Sequence, residues 1–123
     1  MVVMVVEDSS TMRQLICHAL KRIAGIVLVE ASDGNDALKK LTEIKPDLLL
    51  TDINMPNMDG FELIRAVRQR PGMDTLPVIV LTTAGALTDQ DRAKGLAVTS
   101  YVTKPVKPDA LVNAVREALE LRA

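Results

Sequence analysis

The stretch LLLTDINMPNMDGFELI, Leu48 to Ile64, passes from an unbroken apolar triplet to an aspartate, Asp52, and then through turn-forming residues into a segment of helical spacing. The triplet lacks polar alternation, as expected of a strand covered on both faces. Pro56 and Gly60 bracket the loop, and from Gly60 onward Phe61, Ile64 and Val67 mark one helix face until Pro71-Gly72 ends it. One strand, one loop and one helix follow from this run.

The same unit repeats in both directions. Apolar blocks VVMVV, IVLV, VIVL and YV alternate with helical stretches, the pattern of a parallel α/β fold. The first helix carries Met12, Leu15, Ile16, Ala19, Leu20 and Ile23, with Ser9 or Ser10 as cap. A second is expected from about Asn35 to Ile44, with Ala37, Leu38 and Leu41 on one face and Pro46 as its stop. A fourth, weakly apolar, is expected around Asp89 to Leu96. The fifth runs from Pro108 to about Leu121, with Leu111, Val112, Val115 and Leu119 inward. Strands buried between two helix layers make a three-layer sandwich. The first strand begins at Met1, so its amino end is expected to be ragged.

At 123 residues the chain can bury roughly two thirds of its unfolded surface in one core, and 1–123 is read as a single domain without an output domain. Its 48% apolar and 25% charged residues exclude disordered, collagenous and disulfide-scaffold classes. A net charge of −1 leaves no basic field for nucleic acid or a membrane surface, and one tyrosine and one phenylalanine offer no stacking platform. The opening MVVMVV meets acidic residues far short of the ~20 apolar residues of a membrane span, so neither a span nor a basic leader is expected there. The lone Cys17 is read as a buried helix thiol in a reducing compartment, so a cytoplasmic protein is expected. His18 is read as a helix-surface residue.

Four of the five apolar runs stop at a residue suited to phosphoryl chemistry: Glu7-Asp8, Asp52, Thr82 and Lys104. In parallel strands these ends share one edge, where open α/β sheets place their ligand sites. A strand-end aspartate alone is commonly a turn former, but that does not account for four reactive positions in register. If the sheet has the order 2-1-3-4-5, the first and third strands are neighbours and three carboxylates gather. Such a cluster either raises a pKa or takes a cation, and a hard divalent ion such as Mg²⁺ suits oxygen ligands. Asp8 and Asp52 fit direct ligation, Glu7 a looser or water-mediated part, and a backbone carbonyl in the Ile53-Asn54 loop is a third candidate. Lys104 and Thr82 suit a phosphoryl group attached there. No Gly-rich nucleotide loop occurs, so that group must be delivered by another molecule.

The segments VVED, LLLTDINMPNMDGFELI, VIVLTTA and SYVTKPV together resemble the signature regions of response-regulator receiver domains of two-component signalling, over essentially the whole chain. The resemblance implies a flavodoxin-like (βα)5 three-layer α/β sandwich with a five-stranded parallel sheet of order 2-1-3-4-5. It implies that Asp52 accepts a phosphoryl group from a histidine kinase and that Glu7, Asp8, Asp52 and the Asn54 backbone carbonyl hold Mg²⁺, or Mn²⁺ in its place. Lys104 and Thr82 would meet the phosphoryl group, and Tyr101 would be the aromatic switch. The target-binding face would combine the fourth helix, fifth strand and fifth helix of a monomer. A cis Lys104-Pro105 bond is implied as well. Ser9 to Arg13 and ELIRAVRQRP are similar to stand-alone chemotaxis-type regulators. A phosphorelay intermediate is the alternative within this class. An aspartate-nucleophile hydrolase would need an acid at position 54, where Asn54 stands. One departure is Ala97, at a place usually held by glycine four residues before the switch aromatic, with Gly95 two earlier. A left-handed alanine costs on the order of 1 kcal/mol, so a rearranged end of the fourth helix is expected. Met55 and Met58 are expected along the approach to Asp52.

Overall fold

The computed structural model describes residues 1–83 and 95–122. In chain order these form β1 (Val2–Val6), α1 (Ser10–Leu20), β2 (Val27–Ala31), α2 (Gly34–Lys40), β3 (Leu48–Asp52), α3 (Gly60–Arg68), β4 (Val78–Thr83), β5 (Ser100–Lys104) and α4 (Pro108–Arg122). The sheet is parallel throughout and ordered β2-β1-β3-β4-β5, as the resemblance implied. Of the helix expected around Asp89 to Leu96, residues 89–94 lie outside the described residues, and Leu96 is a buried residue in the turn before β5.

Strand pleating sorts the apolar runs onto two faces. Val3, Val5, Leu48, Leu50, Ile79 and Leu81 pack with Ile16, Leu20, Leu111 and Val115 on the α1/α4 side. Met4, Val6, Leu49, Val78 and Val80 pack with Ala37, Phe61, Ile64 and Val67 on the α2/α3 side. Every residue of central β3 is buried, whereas the edge strands β2 and β5 are covered only in part. Each fully buried Leu, Ile or Val contributes on the order of 2 kcal/mol, so the inner strands and the helix faces packed on them together stabilise the core.

Local chemistry sets the helix starts. Ser9, not Ser10, caps α1, its Oγ accepting from Met12 N at 3.2 Å. Asp33 caps α2 in the same way. Asp59 and Glu62 form a reciprocal capping box on α3. Two ends come earlier than helical spacing suggests. In α1, Ile23 lies beyond Leu20 in a tighter turn, its N donating to Leu20 O. Regular α2 stops at Lys40 rather than Ile44, because Thr42 Oγ1 donates to Lys39 O at 2.7 Å and competes for the helical carbonyl.

The amino end of β1 is tied, not ragged. The Met1 amino group donates to Gly25 O at 2.9 Å and Val2 N to Asp47 Oδ2 at 2.8 Å. At the other edge, Ala97 does adopt the left-handed conformation, with φ 56°, and Gly95 does so at 85°. The Arg68 guanidinium donates to Leu96 O at 2.9 Å and Ala97 O at 3.0 Å, and also to Met73 O and Leu76 O. One side chain from the end of α3 thus ties the segment before β4 to the turn before β5.

Candidate functional site

The parallel sheet brings the carboxyl ends of its strands to one edge. Asp52 is the last residue of β3, Glu7 follows β1, Thr82 is next to last in β4, and Lys104 ends β5. Register aligns them: Val6 pairs with Thr51, Asp52 with Leu81, and Thr83 with Lys104. Neighbouring strands therefore deliver the acidic groups, the hydroxyl and the ammonium at one level.

Packing beneath Asp52 fixes the end of β3. Gly60 N donates to Ile53 O at 2.9 Å. A Cβ at Gly60 would stand 2.4 Å from the Asp52 carbonyl oxygen, closer than atoms can approach, so glycine is what lets α3 start directly against the strand end. Composition had marked Gly60 only as a turn residue. Its position just after the capping Asp59 was the available signal for this close contact.

Glu7, Asp8 and Asp52 each present a carboxylate oxygen within 4.8 Å of the others. Glu7 and Asp52 are both 2% exposed, while Asp8 is open to solvent. Lys104 Nζ lies 2.9 Å from Asp52 Oδ1. That oxygen makes no directed hydrogen bond among the described residues, so the ammonium is its charge partner rather than a well-aligned donor. Oε2 of Glu7 is buried with no hydrogen-bond partner among the described residues. Burial pushes the Glu7 carboxyl up to about 7, against the Ser9 amide that donates to Oε1; the Asp52 charge raises it further and Lys104 offsets part of this. One ammonium cannot neutralise three clustered carboxylates. An orphaned buried oxygen beside two further carboxylates fits an oxygen-loving divalent cation.

Thr82 is buried at the same edge, its Oγ1 donating to Thr83 O at 3.3 Å. Tyr101 is half-buried and packs against the α2/α3-side core. Asn54 is exposed in the loop two residues after Asp52. The Lys104-Pro105 bond is cis. Met55 does not line the approach: it turns into the core, and Met58 packs over Gly34 and that same core. Cys17 is buried, which pushes its thiol up, and His18 is on the helix surface.

Residues 3–116 match the family described as the response regulator receiver domain. The chain belongs to that family. Receiver domains are the phosphorylation-driven switches of two-component signalling, and the acidic group here is of the kind with which they bind Mg²⁺. A chemotaxis protein CheY homolog of Campylobacter jejuni is 36% identical over 97% of this chain and 92% of its own length. Among solved structures, the chemotaxis response regulator CheY4 of Vibrio cholerae superposes with a TM-score of 0.87 at 32% identity, covering 95% of this chain and 97% of that one. The signal receiver domain of a signal transduction histidine kinase from Syntrophus aciditrophicus gives 0.86 at 32% identity, covering 97% of this chain and 89% of that one. Among the described residues no helix of this receiver is long and apolar enough to cross a membrane.

Proposed function

We propose that Asp52 is the phosphoacceptor of this receiver and that its donor is a phosphohistidine on a partner kinase. A carboxylate oxygen of Asp52 attacks phosphorus, the phosphorus–nitrogen bond breaks, and the imidazole leaves with that electron pair, giving an acyl phosphate. The observation that carries this reading is the buried Asp52 carboxylate facing Lys104 at 2.9 Å beside the unsatisfied Oε2 of Glu7. Glu7, Asp8, Asp52 and the Asn54 backbone carbonyl would hold Mg²⁺. When bound, Mg²⁺ supplies charge neutralisation for the phosphoryl oxygens.

Once the carboxylate carries a phosphoryl group, Lys104 must divide its charge between more oxygens, and Thr82 gains an acceptor more strongly charged than a backbone carbonyl. Movement of Thr82 toward it frees space at the β4 end for Tyr101, which changes the surface of β5 and α4 that a target reads. The modification biases an existing equilibrium through its different interaction with each state. The acid-free position at Asn54 supports retention of the phosphoryl group rather than turnover of small substrates. The names of the relatives, with the Ser9 to Arg13 start of α1, support a stand-alone chemotaxis-type regulator that acts as a cytoplasmic monomer by binding a target protein.

Incubation with Mg²⁺ and acetyl phosphate, followed by intact mass measurement, tests the assignment. A phosphoryl adduct is expected on the wild-type chain and none on Asp52→Asn. An adduct on both, or on neither, sinks it, and steady phosphate release from unrelated monoesters would instead favour a hydrolase.

A further inference from the structure

The polar groups of Glu7 are nearly all committed. Its N donates to Ala31 O at 3.1 Å, its Oε1 accepts from Ser9 N at 3.1 Å, and its carbonyl oxygen accepts from Arg13 Nη1 at 2.7 Å. Only Oε2 is left without a hydrogen-bond partner among the described residues, on a carboxylate that belongs to the acidic cluster. Arg13, in the first turn of α1, is itself steadied from the far side: its Nε donates to Glu30 Oε1 on β2 at 3.1 Å. One guanidinium therefore joins α1, the end of β1 and the neighbouring strand.

The carbonyl it grips belongs to the peptide plane linking Glu7 to Asp8. Holding that oxygen fixes the rotation of the plane, and with it the point from which the Asp8 side chain departs. Asp8 is exposed and has no core packing to orient it. By contrast, the Arg13–Glu30 pair has side chains 20% and 53% exposed, and solvent-screened pairs of this kind add little to stability. A fork with several fixed donors suits this double duty, and a lysine ammonium would not span both acceptors with the same geometry.

We propose that Arg13 is a positioning residue of the acidic cluster, holding the Glu7-Asp8 peptide so that Asp8 meets Asp52 at cation-binding distance. The proposal rests on the reading of that cluster as a Mg²⁺ seat, and outer partners of metal-holding groups typically change affinity 10- to 100-fold when removed.

Titration calorimetry of the chain with Mg²⁺, alongside urea unfolding in chelator, tests it on wild type, Arg13→Ala, Arg13→Lys and Glu30→Gln. Arg13→Ala is expected to weaken Mg²⁺ binding at least about tenfold while its unfolding midpoint stays close to wild type. Partial recovery in Arg13→Lys and a smaller loss in Glu30→Gln are expected, since each keeps a donor for the Glu7 carbonyl. A wild-type chain that binds Mg²⁺ no better than Arg13→Ala overturns the positioning role and leaves the metal seat standing. A wild-type chain that binds no Mg²⁺ overturns the metal seat itself. If the loss in Arg13→Ala follows its loss of stability, and Arg13→Lys fares no better, Arg13 is a fold residue and the proposal falls.

Discussion

Glu7 combines near-complete burial with an unsatisfied oxygen, and its acidity follows from that. In the folded chain its carboxyl titrates at about 7, against 4.5 for an unperturbed glutamate. Between those values the folded state holds a proton that the unfolded state has released, so unfolding becomes easier as pH rises. In chelator, urea midpoints are therefore expected to decline from pH 4.5 to about 7, and Glu7→Gln should remove that part of the slope. A Glu7→Gln profile parallel to wild type would show that the carboxyl is not buried as described. The residue type and strand-end position of Glu7 were legible in the sequence, as were Asp52, Thr82 and Lys104, because apolar runs announce where strands stop. Arg13 was not. A helical arginine in a polar first turn reads as a solvated face, and only the path of β1 shows which carbonyl it reaches.

Among the elements, β5 is an edge strand buried only in part, and its entry turn contains a left-handed alanine. Arg68 offsets both. Its four contacts gather carbonyls from the segments before β4 and before β5, and burial pulls the guanidinium's pKa down without threatening its charge. Arg68→Ala is expected to destabilise the fold by about 2–3 kcal/mol, because several carbonyls lose a charged donor at once. Arg68→Lys should recover little, since a point ammonium cannot serve the same fork of acceptors. Urea unfolding of the two variants measures this, and a near-neutral Arg68→Ala would mean that water replaces the clamp. Among the described residues, element existence was readable from apolar spacing, yet the ends of α1 and α2 were not. Hydrogen bonds such as Thr42 Oγ1 to Lys39 O decide those ends, and apolar spacing carries no record of them.

For the whole molecule, the reading of a doubly covered parallel sheet held because its inner strands lack polar alternation, which leaves no face for solvent. Strand order was a different matter: five apolar runs do not say which of them are neighbours, and the order came from family resemblance. That order places Asp52 beside Glu7 on one side and Thr82 on the other, so topology, not local sequence, assembles the site. The chain also has one tyrosine and no tryptophan, and that tyrosine is Tyr101, half-buried against the core. Every photon of intrinsic emission excited at the red edge of protein absorption thus originates at the proposed switch. The unlabelled protein carries its own single-site optical probe. Acetyl phosphate with Mg²⁺ should change its emission or its quenching by iodide, and Asp52→Asn should abolish the change. A signal indifferent to phosphorylation would mean that the ring stays where it is.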